Sequence, residues 1–216
     1  MITLAELQNV VAKQRKAEMR RDAGLERKID LADEILSSHA LVLTGVRRCG
    51  KSTVMTQQIR KSSAPWFYLK FDAPALVTLE LSDSSKMDSV IEETGAKRLY
   101  LDEVHELDGW ELFVLEKLDE GYRICVTGSN AALLKGERAS KLTGRHISLE
   151  LFPFSYSEFL AYCKGKPGRK AWRNTWKLAD SRDSSRPVTN SICLSSSTTS
   201  SIAMLLSATA YGMWRP

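Results

Sequence analysis

Hydrophobic residues fall into two kinds of run along the chain. At the N-terminus Leu4, Leu7 and Val11, then less cleanly Gln14 and Met19, recur at helical spacing, which predicts an amphipathic helix over residues 3–23. Its other faces carry Lys13, Arg15, Lys16, Arg20 and Arg21, read as a solvated face, and Gly24 is expected to cap its end. A second short helix is expected over residues 26–36. Beyond it the apolar residues form short continuous runs bounded by turn residues: ALVLT at 40–44, WFYLKF at 66–71, RLYL at 98–101, YRICVT at 122–127 and HISLEL at 146–151. Continuous runs, rather than strict alternation, suit parallel strands covered on both faces. Helical segments separate them at about 51–62, 85–95, 108–120 and 155–163. Strands alternating with helices predict an α/β fold, a parallel sheet with helices on both faces.

After residue 170 the pattern breaks. From Ser181 to Ser201 twelve of 21 residues are Ser or Thr, and three of the five tryptophans (Trp172, Trp176, Trp214) fall in the tail, where neither a helical nor a strand period survives. A low-complexity linker would account for the serines but rarely carries tryptophan. The expected organisation is an N-terminal helix over 1–24, an α/β domain over 25–170 and an irregular tail over 171–216.

A chain of 216 residues is long enough to bury a core without staples. With 43% apolar and 26% charged residues it is neither a disordered, a collagen-like nor a coiled-coil chain. No apolar run approaches the length of a membrane span, and the N-terminus has no apolar signal region. Cys49, Cys125, Cys163 and Cys193 are scattered with no CxxC pair, which points to a reduced, cytoplasmic protein. The net charge of +5 invites a nucleic-acid reading until it is divided. Residues 1–170 hold 26 basic and 24 acidic side chains, a net of +2, and residues 171–216 hold five and two, a net of +3. A nearly neutral body does not support nucleic-acid binding.

Chemistry enters at residues 45–52. Gly45, Val46, Arg47, Arg48, Cys49, Gly50, Lys51 and Ser52 match GxxxxGK[ST] at every fixed position, after a strand and before a helix, with Thr53 next on that helix. The glycines let the loop wrap so that successive backbone N–H groups point at phosphate oxygens, and the helix offers its positive N-terminus to the same group. Lys51 would add a charge at the β and γ oxygens, and the Ser52 hydroxyl would ligate Mg²⁺. The mechanism does not demand the Cys49 side chain. About fifty residues on, RLYL runs into Asp102 and Glu103. In a parallel sheet ligands gather at the carboxyl ends of strands. Asp102 would then hold Mg²⁺ through water and Glu103 would polarise an attacking water. Transfer to a bound acceptor needs no such carboxylate, so the pair favours a hydrolase over a kinase.

ICVTGSN ends a further strand in small polar residues. If it lies beside the acidic strand, Ser129 or Asn130 reaches the γ-phosphate or the water; the same residues also make good helix caps before Ala131. Arg138, Lys141 and Arg145 follow, and an arginine at a γ-phosphate, from this chain or a neighbouring subunit, is a standard accessory. For any one of these arginines, as for Arg47 and Arg48, a solvated surface position is the favoured reading.

GVRRCGKST, RLYLDEVHELDGWE, VTGSNAALL and LTGRHISLELFPFSYSEFL, in this order and spacing, resemble a prokaryotic family of AAA-type ATPases in which an N-terminal ATPase domain precedes a C-terminal domain of unknown function. The likeness covers residues 25–165. It implies an AAA-like P-loop NTPase fold, ATP and Mg²⁺ as ligands, and ATP hydrolysis through Walker A and Walker B motifs. Lys51, Ser52, Asp102 and Glu103 would be the Walker residues, with Ser129 or Asn130 near the sensor position. Trp110 and the Pro153-Phe154-Ser155 stretch mark the family and read physically as core and turn positions. The resemblance supplies no substrate; a protein partner or a homo-oligomer stays open.

The tail departs from that family, which continues into a Gly-Gly-Phe-Pro segment and a further domain. In a shifted frame, permitted codons over residues 172–183 allow that segment, and those over 190–214 allow a well-patterned family-like run. A frameshift near Ala171 is therefore expected, giving a truncated chain. Besides an ATPase, the sequence leaves room for a nucleotide-binding switch and for a non-productive remnant with little turnover.

Overall fold

Thr3 starts the first helix of the computed structural model. Its hydroxyl accepts the Glu6 N–H at 3.3 Å, and the Glu6 carboxylate accepts the Thr3 N–H at 2.9 Å, a reciprocal cap that satisfies two otherwise orphaned donors. The helix, α1, spans Leu4–Arg20. It stops before the expected residue 23 because the chain beyond it is held by another helix. Arg21 is already extended, and the Gln57 amide draws the carbonyls of Ala23 and Leu25 to 2.7 and 2.8 Å. Gly24 is therefore not the cap. The structure describes residues 2–27, 38–128, 142, 144–155, 157, 158 and 161. Most of the expected second helix, Ser129, Asn130, Arg138, Lys141, most of the 155–163 helix and the whole 171–216 tail lie outside these residues.

Five strands follow the predicted runs closely: β1 (Ala40–Gly45), β2 (Trp66–Lys70), β3 (Arg98–Asp102), β4 (Arg123–Thr127) and β5 (His146–Leu151). Between them lie α2 (Lys51–Lys61), α3 (Ser84–Glu93) and α4 (Trp110–Asp119). All strand pairs are parallel, in the spatial order β2-β3-β4-β1-β5. The central strands are buried along almost their whole length, as continuous apolar runs require.

Period-two alternation sorts the buried residues onto two faces. Val42, Leu69, Leu99, Leu101, Ile124 and Val126 share one core with Leu7 and Val11 of α1, Met87 and Ile91 of α3, and Trp110 and Phe113 of α4. The intervening residues Leu41, Tyr100 and Cys125 line a pocket together with Gln58 of α2 on the other face. The sheet therefore has helices on both faces. Among the described residues no helix is long and apolar enough to cross a membrane.

Two compact units divide the chain. The described residues up to 46 and from 50 to 152 belong to the first, which contains α1 and the sheet. In the second, Ser155 and Glu158 exchange hydrogen bonds of 2.8 and 3.3 Å, a capping pair at the start of a helical turn.

Candidate functional site

The loop after β1 bends where its residues allow it. Gly45 (φ +142°), Arg48 (φ +65°) and Gly50 (φ +99°) all have positive φ. A Cβ added at Gly50 would meet nothing within 4 Å, so backbone conformation, not space, demands glycine there. Gly50 is also the N-cap of α2 and has no side chain to satisfy the helix's first amides. Val46, Arg47 and Arg48 are exposed, whereas Cys49 is buried. Lys51, on the first turn of α2, is only 5% exposed; its ammonium donates to the carbonyls of Gly45 at 3.0 Å and Val46 at 3.1 Å. Those carbonyls hold the charge at the mouth of the loop. Thr53 follows, half-buried.

Strand order decides what faces Ser52. With β4 lying between β1 and β3, the carboxyl ends of three strands come together under the N-terminus of α2. Alternation puts Asp102 on the α2 face of β3 and Thr127 on the α2 face of β4. The Ser52 hydroxyl donates to Asp102 Oδ1 at 3.1 Å, Thr127 Oγ1 donates to the same oxygen, and the Tyr68 hydroxyl of β2 donates to Oδ2 at 3.1 Å. Asp102 and Thr127 are both fully buried. A buried carboxylate needs such donors, because desolvation without them costs several kcal/mol. Burial, then the charges of Asp102 and Glu18, pushes the Tyr68 hydroxyl far above its ordinary range, so Tyr68 remains a donor. Burial and Asp102 likewise push the Cys125 thiol up, so it stays protonated.

Glu103 steps off the strand in the left-handed region (φ +54°), uncommon for a residue with a side chain. Its N–H donates to Thr127 Oγ1 at 3.0 Å, which fixes this turn to the neighbouring strand. Its carboxylate, 27% exposed, has Oε2 3.4 Å from His105 Nδ1.

The structure therefore brings Lys51, Ser52, Asp102 and Glu103 together at one end of the sheet. It does not bring Arg145 to them. Arg145 precedes β5, and its carbonyl accepts from Ala40 N at 3.0 Å, at the opposite end of β1. A strand of this length separates the two ends by about 15–20 Å. The guanidinium instead pairs with Asp119 at the end of α4, at 2.5 Å. Sequence reading missed Tyr68 and Thr127, which complete the surroundings of Asp102. Both stand on the same alternation phase as Asp102, a signal that becomes useful only once the strand order is known.

A family model described as an AAA domain matches residues 37–160, more than half of the chain. An uncharacterized protein of Methanocaldococcus jannaschii, MJ1544, is 31% identical over 135 residues, covering 62% of this chain and 31% of its own length. An uncharacterized protein of Haemophilus influenzae is 31% identical over 157 residues, covering 67% of this chain and 38% of its own. The chain thus spans about a third of the length of these curated relatives. The family is one of nucleotide-binding, ATPase-like domains. The matched span begins just before β1, runs past β5 and takes in the whole sheet, with the loop and the acidic strand end at its carboxyl edge; the chain belongs to the AAA-type P-loop ATPase family.

Proposed function

We propose that this chain binds ATP with Mg²⁺ at the loop of residues 45–52 and hydrolyses it. The carrying observation is the 3.1 Å approach of the Ser52 hydroxyl to the buried Asp102 carboxylate, contributed by segments fifty residues apart, beside the anchored Lys51 ammonium. The donor set fits the ion. Magnesium takes hard oxygen ligands, typically one or two protein groups with phosphates and water. The pair Ser52 and Asp102 meets that need, and among the described residues no cluster of three or more His, Cys, Asp or Glu competes for a metal.

In this reading Gly45, Val46, Arg47, Arg48, Cys49 and Gly50 wrap the phosphates with backbone N–H groups, and the N-terminus of α2, with Thr53 on its first turn, adds its dipole. Lys51 exchanges its two carbonyl partners for β and γ oxygens. Ser52 and, through water, Asp102 hold the ion, which when bound neutralises charge on the phosphates during transfer. Glu103 orients the attacking water and accepts its proton; the left-handed turn and the Thr127 contact hold its backbone for that task. Ser129 and Asn130, which follow β4 in the sequence, are proposed as partners of the γ-phosphate or the water.

Phosphate release by the full chain with MgATP tests the proposal. Release is expected well above that of Lys51→Ala. Glu103→Gln should retain ATP binding while turnover falls by two or more orders of magnitude, the scale of a lost general base. Wild-type release no greater than that of Lys51→Ala would overturn the hydrolase reading.

A further inference from the structure

Outside the loop, the buried carboxylate of Glu18 has no part in the site as described. Glu18 belongs to α1, before the matched family span, and its side chain is 4% exposed. On that helix it takes the inward place that the apolar pattern assigns to Met19, which is 64% exposed instead. A glutamate on an inward face costs desolvation unless it is satisfied. Its partners lead toward the site. Thr56 of α2 donates its hydroxyl to Glu18 Oε1, and the same hydroxyl lies 2.9 Å from the carbonyl of Ser52, one turn earlier on α2. Arg21 approaches the other Glu18 oxygen at 3.4 Å. From the β2 side, Tyr68 donates to Asp102 Oδ2 at 3.1 Å.

We infer that Glu18 and Tyr68 are positioning residues for the metal ion, and that α1 is thereby a working part of the nucleotide site. Glu18 fixes the Thr56 side chain, which lies against the Ser52 carbonyl one turn earlier on α2, and so sets the part of the helix that carries Ser52. Tyr68 holds Oδ2 of Asp102 and so leaves Oδ1 aimed at Ser52. The two oxygens proposed to hold Mg²⁺, that of Asp102 through water, are set by residues that touch neither ion nor nucleotide. This inference rests on the reading of Ser52 and Asp102 given above.

The test is Mg²⁺-dependent binding of ADP by the full chain, titrating MgCl₂ at fixed ADP, alongside ADP binding in EDTA. Glu18→Gln keeps the shape and an acceptor for Thr56 but removes the charge; Tyr68→Phe removes the donor to Asp102. Each should raise the half-saturating Mg²⁺ concentration at least threefold while ADP affinity in EDTA stays within twofold of wild type. Melting curves establish that each variant folds, and Glu18→Gln stands as the test should Tyr68→Phe fail to do so. Unchanged or lowered Mg²⁺ half-saturation overturns the inference, as does an equal loss of ADP binding with and without the ion. If wild-type ADP binding ignores Mg²⁺, the metal reading itself fails and this inference with it. A variant defect against a normal wild-type titration separates the two.

Discussion

Glu103 concentrates the tension between stability and chemistry in one residue. Its left-handed backbone costs a residue with a Cβ about 1 kcal/mol, a cost glycine escapes. Natural chains keep such conformations where the surroundings over-determine them, and here the Thr127 contact does so. The usual order of substitutions should therefore invert. Glu103→Gly is expected to be more stable than Glu103→Ala by about 1 kcal/mol in chemical denaturation, although both lose the carboxylate. An alanine variant as stable as the glycine variant would show that the turn is not strained. The sequence made this carboxylate legible, since an apolar run ending in Asp-Glu after a phosphate loop points to few chemistries. Thr127 carries no such local signal, because a small polar residue at a strand end is informative only once the pleat gives it a face and the strand order gives it a neighbour.

Among the elements, α1 departs most from its sequence reading. Its basic residues suggested a helix laid against the body with a solvated face, yet several of its polar side chains make specific contacts. The Gln14 amide donates to the Lys70 carbonyl at 3.0 Å and accepts the Lys70 N–H at 2.7 Å. One side chain thus occupies backbone groups that edge strand β2 would otherwise leave open to another chain. Arg15 lies over the Trp66 ring at 4.7 Å, and Gln8 meets Glu93 of α3 at 2.8 Å. Leu7 is fully buried in the shared core. Leu7→Ala is accordingly expected to cost about 2–5 kcal/mol, as for other large buried aliphatic residues, in a single unfolding transition that includes the sheet. Loss of under about 0.5 kcal/mol, or an α1 that melts separately, would return the helix to the status of an appendage. Helical spacing located α1 to within three residues, but polarity alone could not separate a solvated lysine from a glutamine closing a sheet edge.

At the scale of the molecule, the site is joined to global stability through the strand ends that build it. A ligand that binds only the folded chain stabilises it by RT ln(1 + [L]/Kd), about 2.7 kcal/mol at a hundredfold excess over Kd. For a chain of this size that is a rise in Tm of about 5–10 °C. MgADP at millimolar concentration should give such a rise, and Lys51→Ala should abolish most of it; a folded sample that melts at the same temperature with and without MgADP would count against an intact site. The periodicities, the glycines and Lys51 of the loop and the Asp102-Glu103 pair were written locally, because helix, strand and turn chemistry depend on near neighbours in the chain. They determined the five strands, the α/β class and the ends at which chemistry gathers. Tertiary structure decided the rest. Placing β4 between β1 and β3 put Thr127 beside Asp102 and brought Ser52 within reach, while the parallel run of β5 beside β1 left Arg145, which precedes β5, at the far end. Packing of α1 across the edge of β2 turned Glu18 inward against Thr56. Such contacts join residues tens of positions apart, and local patterns carry no information about which strand lies next to which.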